Sequence, residues 1–180
     1  MNRLTTSIIA LIIVATSAVA TYSYLPDYLS KKMNRHLVKI YGRDLTYKEI
    51  SLNDSLTLNH QAFRILKDDT LSGFSIITRA LGCQIGGCDK PAKDTTSFEQ
   101  FFFVTAFDKH KNIKRVRILE YTSNHGYQIA SRGWLKQFEK GKSFQVGKNI
   151  DVISGATISV NSITQNVNEQ LAIIHSMDRE

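Results

Sequence analysis

The clearest periodicity in the chain lies near its C-terminus, where Val160, Ile163, Val167, Leu171 and Ile174 recur at steps of three and four. That spacing lines one face of an amphipathic helix. A shorter stripe of Leu29, Met33, Leu37 and Ile40 predicts a helix over 27–41, which Gly42 can end. Between the two stripes the pattern becomes that of strands. Residues 73–81 are rich in β-branched and aromatic side chains, and 98–107 form a dense aromatic run that contains Phe101, Phe102 and Phe103. Turn residues at 108–112 and a second apolar run at 113–121 complete an antiparallel hairpin. Residues 62–66 alternate weakly like a strand, Asp68, Asp69 and Thr70 read as a turn, and the rest of 44–72 keeps no sustained period. A short helix is predicted over 131–138, with Trp134, Leu135 and Phe138 on its apolar side. Together these elements predict an α+β domain, an antiparallel sheet covered by helices.

Ahead of the first helix, residues 8–20 form an apolar run that continues without charge through Tyr22 and Tyr24 to Pro26. Two readings stay open. A run of this length suits a signal peptide, with Ala18, Val19 and Ala20 as the cleavage pattern. Counted from 5 to 25 it is also long enough to span a bilayer, with Tyr22 and Tyr24 as interfacial anchors. Lipoprotein processing is excluded by position, because the first cysteine is Cys83. Either reading exports the remainder of the chain, so the domain is expected on the extracytoplasmic side, periplasmic or cell-surface, and associated with the membrane through its N-terminus. The division is then 1–26 anchor or signal peptide, 27–43 connecting helix, and 44–180 a single domain.

Length and charge narrow the choice. With 180 residues, 42% of them apolar, the chain can bury one core. The net charge of +7 raises the question of nucleic acid. Export argues against it, as does the dispersal of Lys and Arg without interleaved aromatics. A solvated basic surface is the default, with Lys31, Lys32, Arg35 and Lys39 suited to anionic headgroups just past the apolar run.

The candidate chemistry is concentrated at residues 151–159, Asp-Val-Ile-Ser-Gly-Ala-Thr-Ile-Ser, at the entrance of the C-terminal helix. Asp151 or Ser154 can serve as N-cap, and either choice puts Thr157 in the first turn or two. Unpaired N–H groups and the positive end of the helix dipole favour a phosphate there. Gly155 and Ala156 would keep the approach clear. An ordinary capped helix start is the alternative reading of the same four residues, Ser154 to Thr157. Upstream, Asn124, His125 and Gly126 form a turn signature after a strand, where His125 is either an exposed turn residue or a ligand contact. Trp134 is either a core anchor or a wall for a planar ligand. Cys83 and Cys88, with four residues between them that include Gly86 and Gly87, are a disulfide candidate, with free thiols and a redox dithiol as the alternatives. No metal site is expected, since His60, His110, His125 and Asp89 have no ligand spacing.

The run Asp151-x-x-Ser154-Gly155-Ala156-Thr157 resembles the flavinylation motif of the FMN-binding domain family. That family includes the covalent-FMN subunits of the sodium-translocating NADH:quinone oxidoreductase and of the Rnf electron-transport complex. Residues 121–128 and 133–138 are similar as well. The resemblance implies FMN held by a phosphoester to Thr157 and installed by an FAD-dependent flavin transferase, with Asp151, Ser154, Gly155, Ala156 and Ser159 shaping the site. It further implies redox partner proteins in the membrane and electron transport as part of an oxidoreductase complex; with a flavin there, His125 and Gly126 of the loop and Trp134 are the candidate ring contacts. The chain departs from the family at 122–127, where Thr-Ser-Asn-His-Gly-Tyr stands in place of the respiratory subunits' usual Glu-Thr-Pro-Gly-Leu-Gly. No catalytic residue is expected from the chain itself, because the redox chemistry would belong to the flavin. A flavin-free membrane-tethered module on the same scaffold and a flavin-dependent reductase with its own substrate are the rival readings.

Overall fold

The computed structural model describes residues 25–52, 59–85, 98–122 and 126–177. The chain runs α1 (Asp27–Tyr41), β1 (Leu45–Ile50), β2 (His60–Lys67), β3 (Thr70–Gln84), β4 (Phe98–Asp108) and β5 (Ile113–Tyr121). A 3-10 turn (Tyr127–Ala130), the single-turn helix α2 (Arg132–Leu135) with its 3-10 extension (Lys136–Lys140), and α3 (Thr157–Ser176) follow. The strands form one sheet in the order β1-β2-β3-β4-β5, each antiparallel to its neighbour. This is the expected α+β class. The anchor or signal segment at 1–24 lies outside the described residues, and among those described no helix is long and apolar enough to cross a membrane.

Two turns set the meander. Asp68 and Asp69 both take positive φ, 49° and 57°, the pairing that suits a tight hairpin between twisted strands. In the β4–β5 turn the Asp108 carboxylate accepts the backbone N–H of His110 at 2.8 Å and of Asn112 at 2.9 Å. Here the side chain substitutes for the ladder bonds that the turning backbone gives up.

Alternation along each strand sends neighbouring residues to opposite faces. Ile76 and Phe103 join one apolar cluster, whereas Ile77 and Val104 join the other. The first face is covered by the α3 stripe of Val160, Ile163, Val167, Leu171 and Ile174, packed with Phe74, Ala80, Phe101 and Ile118. The second is covered by Leu29, Met33 and Leu37 of α1, packed with Ile65, Ala106 and Leu119. The sheet is therefore the middle layer of three. The helix read from sequence as a connector lies flat on the sheet, and its end is fixed by Tyr41, whose hydroxyl donates to the carbonyls of Phe107 and Phe74.

Polar contacts set the register of α3 on the sheet. Gln170 donates through Nε2 to Thr78 Oγ1 at 2.6 Å, and His60 Nδ1 lies 2.7 Å from the same oxygen. The other ring nitrogen of His60 lies 3.3 Å from Glu169 Oε2. A neutral ring satisfies both neighbours, accepting from the Thr78 hydroxyl and donating to the carboxylate. Burial pushes the His60 pKa below its ordinary value, with Glu169 partly opposing the shift.

Two outcomes are expected from this packing. Leu37, fully buried, should cost about 2–5 kcal/mol when truncated to Ala, read as a shift in the urea midpoint with little change in slope. Because the folded pKa of His60 is depressed, the unfolded chain takes up that proton first as pH falls. Stability should therefore decline below about pH 6.5, the unperturbed value for histidine, and His60→Gln should flatten that decline in urea melts taken at successive pH values.

Candidate flavin site at the start of the C-terminal helix

Thr157 is the first residue of α3, and it is exposed. The expected cap is absent. The N-cap is Ala156, at φ −128° and ψ 19°, and no side chain accepts a hydrogen bond from the helix start. Asp151 and Ser154 are exposed and stand too far back along an irregular loop to cap it. The 20-residue helix therefore starts at Thr157 with no side-chain cap on its first backbone N–H groups.

The loop that leads there is held by its backbone. Trp134 donates through its indole Nε1 to the Asp151 carbonyl at 2.9 Å, and the Asp151 N–H donates to Gln137 Oε1 at 2.8 Å. Trp134 is buried and lies edge-on to Phe138, 5.5 Å between ring centres. Of its two readings, the structure places it as a core anchor that clamps the motif. The Ser131 hydroxyl caps α2 by accepting from the Trp134 N–H, which fixes the indole in turn.

Gly155 and Ala156 each also answer a constraint of the chain itself. A Cβ on Gly155 would meet nothing within 4 Å; its φ of +75° is what calls for glycine. Ala156 is fully buried and packs on Gly126, where an added Cβ would sit 2.6 Å from the Ala156 Cβ. Gly126 also has a positive φ of 73°. Two small residues thus let the segment after β5 press directly on the entrance of α3.

Ser159 faces inward. Its hydroxyl is buried and lies 3.0 Å from the Tyr121 hydroxyl, while Cys83 Sγ lies 3.9 Å from each of these oxygens and 3.8 Å from the Gly155 carbonyl. This cluster joins the ends of β3 and β5 to the first turn of α3. Sequence reading missed it, since only the distance of Ser159 from the apolar stripe, one residue before Val160, hinted at an inward side chain. His125 lies outside the described residues, as does Cys88, so the disulfide candidate is only half within them. Among the described residues no group of His, Cys, Asp and Glu suits a metal ion.

Large apolar side chains are exposed on the segments that meet at this entrance. Ile85 is 58% exposed, Tyr127 66% and Val152 70%, and each belongs to a segment already tied to the motif, through Cys83, Gly126 and Asp151 respectively. A helix start without a side-chain cap suits the anionic end of a ligand.

Residues 100–172 match the family described as the FMN-binding domain. The chain carries an FMN-binding domain. The match runs from β4 through β5 and α2 to the motif and most of α3, the elements that build the entrance just described. It makes this a flavin-binding protein, and it bears out the family resemblance drawn from the residues of the motif. Among curated proteins no relative matches the chain.

The two glycines of the FMN-binding domain should respond differently to alanine. Gly155→Ala should cost only the strain of a left-handed conformation, about 1–2 kcal/mol. Gly126→Ala adds a collision to the same strain and should cost visibly more; equal thermal shifts for the two variants would count against the packing on Ala156.

Proposed function

We propose that the protein is an exported, membrane-tethered flavoprotein that carries FMN through a phosphoester on Thr157 and passes electrons between redox partners. The observation that carries this reading is the exposed hydroxyl of Thr157 at an uncapped helix start. The residues fit the group. Phosphate oxygens linked to Thr157 would find the backbone donors of the first helical turn, and the exposed Ile85, Tyr127 and Val152, on segments that meet there, would offer apolar surface to the flavin. When bound, FMN supplies the one- and two-electron redox chemistry.

The remaining work falls to the chain. Trp134 and Gln137 hold the Asp151 backbone, Gly126 seats Ala156, and Ser159 ties the helix start to Tyr121, so the hydroxyl is presented on a rigid frame. With FAD as the flavin source, the new bond joins the Thr157 oxygen to the FMN phosphorus and AMP leaves with the hydroxyl proton. A flavin transferase is the partner for that step. A covalent tether suits an extracytoplasmic domain, because retention then does not depend on free flavin. The apolar run at 8–20, followed by Lys31, Lys32 and Arg35, supports export and tethering.

Co-expression of the full chain with a flavin transferase tests the assignment. Wild-type protein should keep its yellow colour through denaturation and gain the mass of FMN less one water, and Thr157→Ala should gain neither while melting within about 0.5 kcal/mol of wild type, as surface substitutions usually do. If Thr157→Ala retains the mass increment, the attachment residue is wrong.

A further inference from the structure

Cations that are far apart in the sequence converge on one groove at the edge of the sheet. Lys32, Arg35 and Lys39 from α1, Arg115 and Arg117 from β5, and Arg132 from α2 line a cavity of about 430 Å³. The only carboxylate in its lining is Glu139. This corrects the reading of the basic residues as dispersed over a solvated surface. Their spacing in the sequence hides the convergence, because the three walls are separated by long stretches of chain.

The charges in the groove are poorly compensated. Arg115 Nε lies 3.6 Å from Glu139, and Lys32 Nζ lies 3.9 Å from Glu120. Arg35 donates only to the Lys31 carbonyl, and Lys39, Arg117 and Arg132 form no ion pair among the described residues. Like charges gathered in a recess repel one another, and the low-dielectric walls strengthen the field inside it. A fold that keeps such an arrangement has an anion to gain. His36 lies among these groups with its Nε2 buried and without a hydrogen-bond partner. Burial, then Arg117, Arg115 and Lys39, lower its pKa to about 4, so the ring is neutral at pH 7 and adds no charge of its own.

We propose that this groove, distinct from the Thr157 entrance, binds a phosphate-bearing anion of at least two negative charges. Guanidinium forks match phosphate oxygens in paired hydrogen bonds, and four of the six cations are arginines. The cavity is of small-ligand size. Its floor is β5, an edge strand with one row of backbone groups outside the sheet ladder. The phosphate can come from a soluble phosphorylated compound or from the headgroup of an anionic lipid, since α1 begins just after the apolar N-terminal run.

Titration calorimetry of the full chain with inorganic pyrophosphate, with chloride matched for ionic strength, tests the proposal. Pyrophosphate should bind saturably at one site, and each of Arg117→Gln and Arg132→Gln should weaken it by about tenfold or more. Both variants remove like-charge repulsion, so their melting temperatures should not fall. The exposed Lys142→Gln and Lys148→Gln should leave binding unchanged. In NMR spectra the His36 pKa should rise when pyrophosphate is bound, because an anion offsets Arg117, Arg115 and Lys39. In a second arm, phosphatidylglycerol vesicles should retain wild type more strongly than either arginine variant if lipid is the source; weak vesicle retention with tight pyrophosphate binding identifies a soluble ligand. The proposal is overturned if neither probe binds through the arginines. It is likewise overturned if an acidic peptide alone occupies the groove, or if chloride reproduces the whole effect.

Discussion

The site depends on one close approach, the backbone of Gly126 against the methyl group of Ala156. It presses the segment leaving β5 onto the entrance of α3 and leaves no room for a larger side chain on either partner. From that contact outward, the loop before Thr157 is determined by its backbone bonds. The indole of Trp134 and the amide of Gln137 hold Asp151 from behind, and Gly155 turns the chain into the helix. The result is a helix start without a side-chain cap and with an exposed hydroxyl as its first residue. A missing cap costs about 1 kcal/mol in an ordinary helix. Here α3 is secured by its buried stripe and does not depend on a cap.

The sheet explains why this arrangement can be rigid. α3 covers one face and α1 the other, so the strands that deliver Cys83, Tyr121 and Gly126 to the site are packed on both sides. The polar ties between α3 and the sheet, Gln170 to Thr78 and Ser162 to the Leu81 N–H, fix the helix along its axis and thereby fix its first turn. Buried hydrogen bonds of this kind specify one register where an apolar stripe alone would tolerate slippage.

Much of this was legible in the sequence where one physical cause dominated. The stripe from Val160 to Ile174 is fully buried as its period requires, the aromatic strand and its hairpin are in place, and α1 runs to Tyr41 with Gly42 beyond it. β1 was not legible, because it is an edge strand whose residues are half-buried or exposed and carry a weak apolar signal. The motif was recognised, but the side-chain cap read into it is absent. Asp151 and Ser154 have the chemistry of caps, yet Gly155 redirects the chain so that neither reaches the helix. Ala156 serves the core, and Ser159 faces Tyr121. The contacts of Ala156 with Gly126 and of Ser159 with Tyr121 are tertiary facts, set by segments thirty or more residues away, and no local pattern encodes them.

The meander also bears on how the chain is made. Each strand pairs with its neighbour in sequence, so the sheet can be assembled from local hairpins as the chain emerges. Much of its cover on the side of Phe74, Ile76, Phe101 and Phe103 is α3, the last of the described elements, and until residues 157–176 arrive that aromatic surface is only partly covered. A nascent or truncated chain is then adhesive on one side and depends on holding factors or speed to escape aggregation. The same late helix displays Thr157, so the hydroxyl takes its position only once that helix has packed on the sheet.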